Sequence, residues 1–181
     1  MAVTVTPDAF TLVKFDHDEL VGVAEKLLAD LGLADVDLRV EVDESTPLGR
    51  AIVTSQDPVT VAVESGALED PRHPRELSAT GSADLLGRLL LRVRDRRDPA
   101  FGDPPDDKDL TQAEAVAWDV YSVGRLVRLG YKHHDNRQRR LYHFRNRHSF
   151  SDAADAAFER LWTADGLTWS DITALSESAS A

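Results

Sequence analysis

The sequence predicts an α+β fold, a small antiparallel sheet of about three to four strands packed against about five helices. Three observations carry this expectation. Within the stretch from Val36 to Glu64 apolar residues recur at every second position in two runs, Val36 to Val42 and Val59 to Val63, the period of a half-buried strand. On either side of that stretch they recur at intervals of three and four, the period of an amphipathic helix. Proline, glycine and aspartate punctuate the joins. With 181 residues the chain is ample for one core and short for two. Residues 1–175 are therefore expected to form a single domain, and residues 176–181 a frayed tail.

Taken in order, Val3, Val5 and the stretch Phe10 to Phe15 suggest a short opening strand or an extended arm. Asp16, with Glu19 three residues on, is an acidic variant of the capping box. Leu20, Val21, Ala24, Leu27, Leu28 and Leu31 then follow helical spacing, and Gly32 suits the left-handed position that ends a helix. Val36, Leu38, Val40 and Val42 alternate with charged residues as a strand. Ala51 to Ser55 and Val59 to Val63 follow as two more, joined across Asp57-Pro58. Tight turns between them predict an antiparallel meander. A proline-punctuated loop from Gly66 to Gly81 leads into a helix from Ser82. Its apolar face is Leu85, Leu86, Leu89, Leu90 and Val93, with Arg88, Arg92, Asp95 and Arg96 on the other side. Residues Gly102 to Asp109 read as a solvated acidic loop. Thr111 with Glu114, Ser151, and Thr168 with Asp171 each open a further helix.

Composition excludes several classes of function. The chain has no cysteine, which removes disulfide frameworks, thiolate zinc sites, iron–sulfur clusters and a cysteine nucleophile. No apolar run approaches the roughly 18–20 residues that span a bilayer. The first residues lack the basic and apolar regions of a secretory signal, so a cytoplasmic location is expected. The formal net charge of −11 opposes general binding to nucleic acid or anionic membrane. The glycine-rich signatures of nucleotide sites and the G-x-S-x-G of esterases are absent. No catalytic residue, metal site or cofactor is identified, and the sequence leans against an enzyme. Ser65, after a strand, reads as a turn residue, and the cluster Glu69, Asp70 and His73 reads as a solvated loop.

One segment departs from this background. Lys132, Arg137, Arg139, Arg140, Arg145 and Arg147 stand against Asp135 alone between residues 132 and 148, so the rest of the chain carries more than the whole negative balance. His133, His134, His143 and His148 fall there too, with Tyr131, Tyr142, Phe144 and Phe150 interleaved or flanking. Guanidinium groups bind phosphate and carboxylate through paired hydrogen bonds, and rings beside them can stack on planar ligands. An extended backbone would set Arg139, Leu141, His143, Arg145 and Arg147 on one face. Arg140, Tyr142, Phe144 and Asn146 would form the other. Ion pairing of these arginines with the chain's own carboxylates is the competing structural reading, and the favoured one. The adjacent His133 and His134, and His143 and His148 five apart among arginines, lack the spacing of zinc ligands.

The order of elements (a helix, a strand pair, the strand Val59 to Glu64 and the helix from Ser82) resembles that of small zincin-like proteins. In that family the helix after the edge strand carries HExxH. Here it reads Ala83-Asp84-Leu85-Leu86-Gly87-Arg88-Leu89-Leu90, with neither histidine nor glutamate. The resemblance thus implies a scaffold without metallopeptidase chemistry. The expected function is a non-catalytic interaction or scaffold protein with a protein partner or self-association, a dimer included. The alternative is recognition of a phosphorylated ligand by Arg139, Arg140, His143, Arg145, Arg147 and His148, with His143 as a proton donor or acceptor. Nucleic acid is a weaker form of that alternative.

Overall fold

The period-two stretch becomes the core of a four-stranded sheet. The computed structural model describes residues 2–131 and 136–181. Its contacts separate two compact units, 1–93 and 94–181, where the sequence suggested one domain. The α+β class holds, with six α-helices, the four-stranded sheet and a two-stranded hairpin among the described residues.

In the first unit, β1 (Val3–Thr6), β2 (Leu38–Asp43), β4 (Val59–Glu64) and β3 (Ala51–Gln56) lie side by side in that order. The sheet is mixed, not antiparallel as expected. β1 runs parallel to β2, and β2 parallel to β4; only β3 and β4 are antiparallel. Two features of the chain explain this. Helix α1 (His17–Asp30) and its flanking loops let the chain return to its starting end before β2 begins, which a parallel pair requires. β4 is apolar at Val59, Val61 and Val63 and carries only Thr60 and Ala62 between them, which suits an inner position. Thr54, Ser55 and Gln56 suit β3 to the edge. Register places Val5, Val40, Val61 and Val53 in one buried row across all four strands. Arg39, Glu41 and Asp43 point to the opposite face and are exposed.

Helix α1 starts and stops as its sequence predicts. The Asp16 carboxylate accepts the Glu19 amide at 3.0 Å, and Gly32 takes φ +70°. The stretch Phe10 to Phe15 is not a strand. One carboxylate oxygen of Glu44 gathers the amides of Thr11, Leu12 and Val13 at 2.7, 2.6 and 3.3 Å, which satisfies the backbone there without a ladder. The proline-punctuated loop holds the hairpin β5 (Glu69–Asp70) and β6 (His73–Leu77), and α2 (Ala79–Arg97) begins three residues earlier than expected.

The second unit holds the last turn of α2 with α3 (Gln112–Arg128), α4 (Asn136–Arg147), α5 (Asp152–Thr163) and α6 (Trp169–Ala179). Both arms of the Thr111–Glu114 and Thr168–Asp171 capping boxes are formed, and the Ser151 hydroxyl caps α5. Helix α3 is the centre of this unit. Trp118 stacks on Phe101 and tilts against Trp169, and the Tyr121 hydroxyl accepts the Leu167 amide. The side chain of Asp95, expected on a polar helix face, is buried. It accepts two bonds of 2.7 Å from Arg125 and one of 2.8 Å from the Trp118 indole. Asp107, expected on a solvated loop, is likewise enclosed and binds Arg96, which lies over the Trp118 ring. The expected frayed tail is helical to Ala179. Ser176 and Ala179 are buried, and the Ser149 hydroxyl donates to the Ala179 carbonyl at 2.7 Å.

Candidate functional site: the two sides of α4

The arginine-rich segment from Asn136 to Arg147 is a helix, which overturns the alternating faces expected of an extended strand. Its arginines, glutamine and leucine are good helix formers. Leu141, Phe144 and His148 recur at three and four, giving one inward stripe. Phe144 is fully buried, meets Phe158 edge to face at 5.8 Å, and is stacked by the His148 ring at 4.0 Å. At about 100° per residue, Arg139, Tyr142, His143, Asn146 and Arg147 fall together on the outer side, and all five are exposed.

The inner side is held by charge as well as by rings. Arg145 makes a two-point bond to Asp155 on α5, Nε to Oδ1 at 2.7 Å and Nη2 to Oδ2 at 2.6 Å. That bond raises the Arg145 pKa and holds the Asp155 carboxyl below the usual carboxylate range. Arg137 pairs with Glu159, one turn further along α5, and its guanidinium lies over the Phe158 ring. His148 sits between two partners, with Nδ1 at 3.0 Å from the Phe144 carbonyl and Nε2 at 2.9 Å from the Ser176 hydroxyl. Burial pushes its pKa down, while the carbonyl bond opposes that shift.

The residues singled out in the sequence are thus divided. Arg145 and His148 serve the inner side and Arg140 is half-buried, whereas Arg139, His143 and Arg147 form an outward row one turn apart. Among the described residues neither Arg139 nor Arg147 has a carboxylate partner. Two large rings accompany the row. Tyr142 is 63% exposed and Phe150 65%, and they meet edge to face at 6.2 Å. Lys132, His133, His134 and Asp135 lie outside the described residues, and so does the expectation that the paired histidines hold no metal. Among the described residues no group of three histidines or carboxylates is placed to hold a metal ion. None of their helices is long and apolar enough to cross a membrane.

Three residues of this region went unread in the sequence: Asp155, Glu159 and Ser176. Asp155 and Glu159 are spaced i, i+4 on α5, a signal that gains meaning only once the arginine segment is recognised as a helix. Ser176 falls in the stretch expected to fray. Compared with known proteins, the chain matches no family model, no curated protein and no solved structure.

Proposed function

We propose that this chain is an interaction protein that recognises an acidic surface of a partner protein through the outer side of α4. The observation that carries the reading is the division of labour on that helix. Its inner arginines meet the chain's own carboxylates, while Arg139 and Arg147 present guanidinium groups to solvent beside Tyr142 and Phe150. Arginine and aromatic residues are the types that anchor protein interfaces, and exposed rings this large gain by being covered. The excess negative charge elsewhere on the chain opposes a polyanion such as nucleic acid, which would meet the whole surface. A compact acidic patch meets only the helix.

A second reading, a phosphorylated small ligand, is favoured by one observation. Arg139, His143 and Arg147 stand one turn apart in a single row, and guanidinium groups suit phosphate oxygens. A thermal-shift panel separates the two. It compares a Glu/Asp-rich peptide with inorganic phosphate and with nucleotides. A ligand at about 100 times its Kd adds roughly 2.7 kcal/mol of stability. For a chain of this size that is a rise of roughly 5–10 °C. A rise with the peptide supports the interaction reading, and a rise with phosphate or nucleotide alone replaces it with the second. A flat panel counts against both.

A further inference from the structure

His148 and Ser176 form a pair whose chemistry the interaction reading does not use. The Phe144 carbonyl facing Nδ1 can only accept a hydrogen bond, so in the neutral ring the proton sits on Nδ1. The lone pair of Nε2 is then directed at the Ser176 hydroxyl, 2.9 Å away, which donates to it. A nucleophile is thereby bonded to a base, and the base is oriented by a third group. These are the relations that activate a serine. Burial favours the neutral ring that this arrangement needs.

The serine of this pair borders a space. Ser176, only 4% exposed, lines a hollow of about 410 Å³ between the first turn of α3 and the C-terminal half of α6. Ala113 and Glu114 contribute one wall, and Thr173, Glu177 and Ser180 another. The first-turn amides of α3 at Gln112 and Ala113 have no acceptor within the helix, and the positive end of its dipole lies at this wall. Glu114 and Glu177 disfavour an anionic substrate.

We infer that Ser176 and His148 form a nucleophile–base pair that hydrolyses small uncharged esters bound in this hollow. Ser176 Oγ adds to the ester carbonyl carbon as its proton passes to His148 Nε2. The carbon–oxygen bond to the alcohol then breaks, and the departing oxygen takes that proton. Water adds to the acyl-serine, giving a proton to Nε2; the carbon–Oγ bond breaks, Ser176 recovers the proton, and the carboxylic acid leaves. Only water is consumed besides the ester. This inference does not rest on the binding role of the outer side of α4.

The test uses the full-length chain, a fluorophosphonate probe read by peptide mass mapping, and turnover of p-nitrophenyl acetate. A single adduct on Ser176 is expected, with loss of both adduct and turnover in Ser176→Ala. Labelling should slow by about a hundredfold or more in His148→Gln. Circular dichroism identifies any variant that has not folded, and adduct mapping on the wild-type chain decides the matter without variants. No adduct on Ser176 of the folded wild type, or equal labelling in folded His148→Gln, would overturn the inference.

Discussion

Gly124 sits where α3 meets α5, and a β-carbon built there would fall 2.2 Å from the Trp162 carbonyl oxygen. The obstacle is backbone, which cannot rotate away as a side chain can. Gly124→Ala should therefore lower the urea midpoint of unfolding by the equivalent of about 1–3 kcal/mol, the usual cost of overpacking a core. An unchanged midpoint would show that the two helices separate freely. At this scale the sequence was legible where a residue acts on its own backbone. Asp16, Thr111, Ser151 and Thr168 cap the helices they were expected to cap. It was not legible where a polar group finds a distant partner. Asp95 meets Arg125 thirty residues on, and Asp107 meets Arg96. Nothing local distinguishes such a carboxylate from one that faces water.

At the scale of the element, α4 shows why a basic segment misleads. Its polar composition hid a helix whose inward stripe is only Leu141, Phe144 and His148, and alternation of charge and ring mimicked a strand. The sheet departs from expectation for a different reason. Alternation within a strand fixes which residues face the core, and the buried row of valines is as expected. Strand direction depends on how far the connections reach, and α1 reaches far enough to make β1 and β2 parallel. The two sides of α4 should respond differently to substitution. Replacing Arg139 and Arg147 together by serine should change unfolding stability by less than about 0.5 kcal/mol per site, as for exposed side chains without internal partners. Arg145→Ala should destabilise, because it strands Asp155 without its two-point partner. Equal losses from both sets of variants in a urea titration would mean that the outer arginines also hold the fold.

Across the whole molecule, acid should weaken the fold in two stages. Burial holds the His148 pKa below its ordinary value of 6.5. In the window just below 6.5 the unfolded chain binds a proton that the folded chain does not, so stability falls as pH drops there. Asp155 is held low by Arg145, and Asp171 by the amide and hydroxyl of Thr168. Their contribution is complete above the ordinary carboxylate value of 3.8 and is lost as pH falls through their lower folded values. Urea titrations from pH 8 down to pH 3 should show both stages, and His148→Gln should diminish the first. Stability that is flat from pH 7 to 5.5 would contradict the placement of His148.

The strongly negative balance of the remaining chain makes the outer side of α4 a local exception, and the binding role rests on that contrast. The most direct measurement is a fluorescence-anisotropy titration of a labelled Glu/Asp-rich peptide with wild type and with Arg139→Glu/Arg147→Glu. Exposed ion pairs contribute about 0.2–1 kcal/mol each. Reversing two charges should then weaken binding by roughly tenfold, with affinity in the wild type falling as salt is added. Equal affinity in the two proteins, or no binding by a wild type shown to be folded, would contradict the role assigned to this helix.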